Sequence, residues 1–496
     1  MKSRMPIVFV LSLAAAAAHA GSTTESYREA RQILDAGIQA MGGREALQDI
    51  KDVTRTGRGV GYNQGQSLQP DAPLTTRTIE ITSVVDVAGR RSWTETVGVP
   101  TGNIPTKTRA VLSGDAGFGH NLVTNVVTPS APGALAAAKS SLRRDPAVLL
   151  LTALSRSETL RALGEATIDG KKHRVIAFAD SDGAQIGLYF DAASNLLARF
   201  DTLADNAVLG DVLTENVLSD YRDTAVGTRS VRLPARLVTR TAGEVTQDLQ
   251  YSEVKVNAGV PAERFETPKD ATPIPPAAAG NTVEMTKLGD DLYLAGGGSH
   301  HSLVVGFKDH VVVIEAPLGD ERSLAVLAKI AETLPDKPVR YVVPTHYHFD
   351  HSGGLRTYIA KGVTVLATAG NKGFIERLAS ERTIRPDSLS REPRKPIIET
   401  FSGKKVLTDG TRSLELHDVG PSPHVHEMVV AYLPQEKLVF EADLFTIPVQ
   451  GPFPPANPAL IDFAGKLAKL GAVETIVPTH GRVGSPKDLQ AALAVK

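Results

Sequence analysis

The stretch PTHYHFDHSGG, residues 344–354, sets three histidines and an aspartate within six positions, in a chain that has only thirteen histidines. Imidazoles crowded in this way repel one another when charged and contribute little to packing. The plain alternative is a polar surface loop. Neutral imidazole and carboxylate are, however, the ligands that zinc and similar ions take. Tyr341-Val342-Val343 reads as a buried strand that Pro344 ends. In an extended segment alternate side chains point the same way, so His346, His348 and Asp350 can face one cavity while His351 enters the following turn.

Three later stretches can complete such a site. PSPHVHEMVVAYLPQEKLVFEADLF contains a hairpin, with strands over 428–434 and 438–443 around Gln435-Glu436-Lys437. A hairpin returns the chain to its start, which brings His424 and Asp443 together. Val477-Pro478-Thr479-His480 repeats the pattern of Val343-Pro344-Thr345-His346, again with a histidine just beyond a buried strand.

These four motifs, in this order, resemble the metallo-β-lactamase superfamily over about residues 283–496. The resemblance implies an αββα sandwich with a dinuclear metal site. Carried over by position, His346, His348 and His424 hold the first ion. Asp350, His351 and His480 hold the second, and Asp443 bridges both. The ions are two divalent metals, zinc first, with iron or manganese as alternatives. Two positions depart from the family pattern: Glu315 stands where an aspartate is usual, and His426 is a rival to His424. The distance from His424 to the hairpin matches the family, which leaves His426 as a neighbour of the ligands or a residue facing substrate.

Two ions sharing an oxygen lower the pKa of bound water and stabilise an oxyanion, so hydrolysis needs no serine or thiol nucleophile. Asp350 is the candidate catalytic residue, able to accept a proton or deliver one. The expected reaction is hydrolysis of an ester, lactone, amide or similar bond by metal-bound hydroxide. A true β-lactamase is an alternative. The cysteine-ligand kind is excluded because the chain has no cysteine, and Asp443 is closer to the glyoxalase II and lactonase pattern. Candidates to surround a substrate are Tyr347, Phe349, His426, His300 and His301 of AGGGSHHS, and Phe453 of the proline-rich TIPVQGPFPPANP. The basic segment 371–403, with Arg382, Arg385, Arg391, Arg394 and Lys395, reads as a solvated cover.

The elements that must position these residues form α/β alternation: strands in LVVGFKDHVVVIEAP, a helix in DERSLAVLAKIAETLP, and then strand, short helix and strand through VTVLAT. A length of 496 residues implies more than one domain. The small, proline-rich ATPIPPAAAG at 271–280 reads as a linker between residues 21–270 and 281–496. The first half opens with a helix in YREARQILDAGIQAMGG, followed by antiparallel strands: a meander over HRVIAFADSDGAQIGLYFDAASNLLARFDTL and a hairpin around Ala242-Gly243. A helix in DPAVLLLTALSR interrupts it. The layout resembles the open half-barrel of periplasmic lipoprotein-carrier proteins, which implies a concave apolar face. From this comes a competing reading: a lipid- or acyl-binding protein with a catalytically silent metal domain.

Residues 1–20, with Lys2 and Arg4 before an apolar run and Ala18-His19-Ala20, read as a cleaved signal peptide. The expected location is periplasmic or secreted, with no integral membrane segment once the signal is removed and no cysteine for lipid attachment. The near-balance of 54 basic and 55 acidic residues argues against a nucleic-acid partner and for a small-molecule or lipidic substrate. A homo-oligomer is compatible with the sequence.

Overall fold

The computed structural model describes residues 22–99, 106–274, 281–381 and 383–495. The expected signal peptide and most of the expected linker lie outside these residues.

Residues 52–273 build one fourteen-stranded sheet. Six strands from Asp52 to Pro129 and seven from Arg161 to Val256 form two antiparallel meanders. They join where the first strand, Asp52–Tyr62, pairs with Glu244–Val256. Thr272–Pro273, within the expected linker, adds a short parallel pairing to Val126 and Val127. The helix Thr23–Ala40 starts at a capping box in which Ser22 and Glu25 satisfy each other's backbone N–H. It lays Ala30, Ile33, Leu34 and Ile38 against Phe178, Leu188 and Phe190 of the sheet. The approach is close: a Cβ at Gly37 would stand 2.2 Å from the Phe190 ring. A buried bidentate ion pair, Arg55 to Asp145 at 2.7 and 2.8 Å, ties the sheet to the segment leading into the helix Leu149–Ser155.

Residues 284–478 build a seven-stranded and a five-stranded sheet. The alternation of side chains assigns each its two faces. Val312, Ile314, Val343 and Leu366 of the first sheet meet Leu414, Leu416, Ala431, Phe440 and Val477 of the second in a shared apolar layer. Val311, Val313, Val342 and Val365 point the other way, into a layer with Val326, Ile330, Leu355 and Tyr358 of the helices Asp320–Thr333 and Leu355–Ala360. On the outer face of the second sheet, Val430, Val439 and Ile476 cluster with Leu460 and Phe463 of the helix Pro458–Leu467. The arrangement is helix, sheet, sheet, helix, preceded by a β-rich unit with few helices. Among the described residues no helix is long and apolar enough to cross a membrane.

The basic segment keeps Arg385, Arg391, Arg394 and Lys395 exposed, as expected of a solvated cover, but its first part also enters the core. Its helix Lys372–Ser380 buries Phe374, Ile375 and Leu378, and the buried Arg356 guanidinium pairs with Asp387 to hold the following turn. Sparse apolar residues at helical spacing, masked by their basic neighbours, make this an integral part of the core.

Candidate metal centre

Four chain segments deliver side chains to one point at the ends of the central strands. The strand Val339–Val343 ends at Pro344, and His346, His348 and His351 follow at 0–1% exposure. The hairpin strands Val429–Leu433 and Leu438–Glu441 pair as Ala431↔Phe440, which returns Asp443 to the level of His424. The strand Thr475–Pro478 runs parallel to Leu438–Glu441 and ends just before His480. Asp443 adopts a φ of 59° and Glu315 one of 78°, in the left-handed region. Non-glycine residues held there store strain, which surrounding contacts must offset.

The seven expected residues come together. His346, His348, His424 and Asp443 present ligand atoms within 4.8 Å of one another, and so do Asp350, His351 and Asp443. Asp443 belongs to both groups. Its Oδ2 lies 3.0 Å from His351 Nε2 and 3.2 Å from His424 Nε2, and its Oδ1 lies 2.8 Å from His480 Nε2. His424 Nε2 is 3.4 Å from His346 Nε2. His426 is turned away: its backbone N–H donates to the Leu68 carbonyl at 2.9 Å and its Nδ1 meets Gln69.

His300 joins the group as an eighth residue, with a ligand atom within 4.8 Å of those of His351 and His480 and its Nε2 3.4 Å from Asp350 Oδ2. The loop bearing it is held by Arg322, buried in the helix Asp320–Thr333. The guanidinium donates to the carbonyls of Thr282, Ala295, Gly296 and His300 at 2.6–3.0 Å.

The hydrogen-bond partners fix which imidazole nitrogen is free. His351 Nδ1–H donates to Glu315 Oε2 at 2.5 Å, His480 Nδ1–H to the Ser299 carbonyl at 2.7 Å, and His348 Nε2–H to the Ser67 carbonyl at 2.9 Å. Each ring therefore carries a proton on its outer nitrogen and turns the inner nitrogen, the one a cation would take, towards the site. His348 Nδ1 is buried without a hydrogen-bond partner among the described residues. Buried polar atoms are seldom left so. Inner nitrogens facing two carboxylates are a donor set that fits a divalent cation.

The electrostatics agree. Burial opposes ionisation of Asp443, but His351, His424 and His480 hold its carboxyl well below the ordinary value. Asp350 is likewise held low against its burial, by the hydrogen bond from His300 and by His351. Burial, with His424 beside it, pulls His348 down to about 4, and burial with the neighbouring imidazoles depresses His346. His351 is buried too, yet Asp443 and Glu315 raise it well above its ordinary value, so a cation at its Nε2 would displace a proton. Behind the site, burial pushes Glu441 up to about 8. Its Oε2 accepts from the N–H groups of Leu444 and Phe445 at 3.0 and 3.1 Å, fixing the turn that carries Asp443.

Residues 295–480 match the family model of the metallo-beta-lactamase superfamily. This region of the chain belongs to that superfamily. Among solved structures, the chain is similar to a metallo-beta-lactamase from Pontibacter korlensis, at 24% identity over 43% of this chain and 98% of that one, with a TM-score of 0.34. It is also similar to the metallo-beta-lactamase FIM-1 from Pseudomonas aeruginosa in its mono-zinc form, at 17% identity over 44% and 95%, with a TM-score of 0.33. A third, from Hirschia baltica, gives 20% identity over 42% and 96%, with a TM-score of 0.32.

Of the residues expected to surround a substrate, Tyr347 and Phe349 stand outside the clustered ligand atoms, with the Tyr347 ring edge-on to that of His348 at 4.9 Å. Tyr347 is buried with its hydroxyl on the Ser67 carbonyl at 2.6 Å, and Phe349 stacks on Phe374. The expected extended run stops at His348: Phe349–Ser352 is a helical turn, and that turn carries Asp350 and His351. Phe453 packs against Phe445. Pro448, Gln450 and Pro452 of the proline-rich stretch face Thr108, His120 and Thr128 of the first sheet across a cavity of about 500 Å³ whose lining includes none of the candidate ligands. Sequence reasoning missed Gln66 and Ser67, whose only signal was an overlong connection between two strands of the first sheet.

Proposed function

We propose that this chain is an exported hydrolase working with two divalent metal ions, zinc foremost. His346, His348 and His424 would hold one ion, Asp350, His351 and His480 the other, and Asp443 both. The observation that carries this reading is the set of outer-nitrogen hydrogen bonds. Glu315, Ser299 and the Ser67 carbonyl each commit a histidine to present its inner nitrogen to the same small volume as Asp350 and Asp443.

Bound there, such ions supply Lewis-acid polarisation of a carbonyl and a water nucleophile ionised at neutral pH. The chain's own residues do the rest. Asp350 is the most open of the cluster's carboxylates, with 39% of its side chain exposed against 15% for Asp443, so it is the one able to reach a reacting group. Its Oδ1 is tethered by Gln66 Nε2 at 2.7 Å and its Oδ2 lies 3.4 Å from His300 Nε2; held there, the carboxylate would take a proton from the nucleophile and pass it to the leaving group. The substrate class is an ester, lactone, amide or similar bond in a small or lipidic molecule.

A panel of phenyl esters, lactones, thioesters and a chromogenic cephalosporin tests this directly. Turnover abolished by chelator and restored by zinc supports it; no turnover of any member by zinc-loaded protein contradicts it. One observation favours the acyl-binding reading. A cavity of about 610 Å³ in the first sheet is lined by Val85, Val87, Leu142 and Val148, with Arg90 and Lys139 at its wall. Lipid extracted from the purified protein without turnover would favour that reading.

A further inference from the structure

The strands Asp52–Tyr62 and Thr76–Asp86 pair antiparallel up to Tyr62↔Thr76. Joining them needs only about 2–5 residues, yet the chain runs through residues 63–75 before it returns. Long connections in compact folds are commonly functional. This one lies along the candidate metal loop. The Gly65 carbonyl accepts from Phe349 N–H at 3.3 Å and the Leu68 carbonyl from His426 N–H at 2.9 Å. Between them, the Ser67 carbonyl accepts from both Tyr347 Oη and His348 Nε2, and Gln66 Nε2 donates to Asp350 Oδ1. The groups that orient His348 and Asp350 are therefore 281 and 284 positions away in the chain, in the other half of the protein. Gly65 permits the approach: its φ is 71°, and a Cβ there would stand 2.4 Å from the Phe349 ring.

We propose that residues 65–68 of the first sheet are a working part of the metal centre, with Gln66 and the Ser67 carbonyl as positioning groups. Resting on the hydrolase reading, this gives the first half of the chain a role in the reaction. The Ser67 carbonyl holds the His348 proton on Nε2 and so directs Nδ1 at the first ion. Gln66 occupies one oxygen of Asp350 and so fixes which one faces the second ion and the reacting atoms. Neither residue touches substrate in this scheme; both act through a ligand. Partners of this kind, one bond behind a ligand, commonly change metal affinity or activity by about 10–100-fold.

The test uses the full chain and two variants. Gln66→Leu removes the donor while keeping a side chain of similar length. Gly65→Ala displaces the loop, and the Ser67 carbonyl with it. Zinc affinity is measured by competition with a chromophoric chelator, and the visible absorption of the cobalt-substituted protein reports ligand geometry. Gln66→Leu should weaken one ion by about 10–100-fold, leave the other within about threefold, alter the cobalt spectrum and lower kcat more than it raises KM. Gly65→Ala should weaken the ion that Gln66→Leu spares. Wild-type affinities and spectra in a folded Gln66→Leu variant would overturn the assignment of Gln66, and the same result for folded Gly65→Ala that of Ser67. If the wild type binds two ions while both variants match it, only this inference falls. If the wild type binds none, the hydrolase reading falls with it.

Discussion

Glu315→Gln isolates one link between the fold and the candidate metal centre. Glu315 is fully buried, and each carboxylate oxygen has a single donor: Oε1 accepts from Thr345 N–H at 2.7 Å and Oε2 from His351 Nδ1–H at 2.5 Å. Glutamine keeps the volume but offers one oxygen and one NH2 group. If its oxygen stays with Thr345, the NH2 faces the His351 Nδ1–H, and two donors meet in a space closed to water. The imidazole can relieve the clash only by moving its proton to Nε2, which removes the lone pair aimed at the site. Leaving a buried group unsatisfied costs about 1–3 kcal/mol, and about 1.4 kcal/mol is tenfold. The expected loss of affinity for the ion that His351 faces is therefore about 5- to 150-fold, with a comparable loss of kcat and a smaller change in the other ion. Chelator competition and steady-state kinetics on the same preparation give both numbers. Affinity and kcat within about twofold of wild type in a folded Glu315→Gln protein would refute the reasoning, because they would mean that the orientation of His351 does not depend on its acceptor.

Three further outcomes follow from the geometry. His424→Ala should lose an ion and nearly all activity, whereas His426→Ala, which is directed at Gln69 and Leu68, should keep both ions and change KM; metal analysis of the two variants separates the roles. Arg322→Leu strips four carbonyls of their donor and, at about 1–3 kcal/mol per unpaired buried group, should lower stability by at least about 3 kcal/mol in a denaturant melt, with Arg322→Lys recovering only part because its ammonium lacks the planar fork. Stripping metal with chelator should lower Tm reversibly, since a ligand at a hundred times its Kd stabilises by about 2.7 kcal/mol, or about 5–10 °C for a domain of this size.

Most of the candidate ligands were legible because they sit just past a strand whose apolar run announces them, while His424 precedes one. Val343, Val477 and the hairpin around Gln435 fix where the chain must turn, and the turns deliver His346, Asp443 and His480 to one point. The strand-helix alternation of the second half was legible for the same reason. What surrounds the ligands was not. Glu315 looked like a departure from a family pattern, and its role depends on a positive φ and a contact with His351 that no local pattern encodes. Gln66 and Ser67 lie in a polar loop with no ligand-like residue near them. The helix Pro132–Arg143 escaped notice because none of its residues is buried, so it carries little apolar periodicity. Tyr347 and Phe349 are held by the Ser67 carbonyl and by Phe374, contacts remote in sequence that no local pattern encodes.

The measurement that bears most directly on the central claim is the metal content of the full chain after zinc supplementation and exhaustive dialysis, alongside Asp443→Ala treated identically. Asp443 touches His351, His424 and His480 at once. About two equivalents per chain are expected for the wild type, as for a two-metal site, and fewer than about one for the variant. A wild type that retains no metal, or an Asp443→Ala protein that keeps two, would contradict that claim.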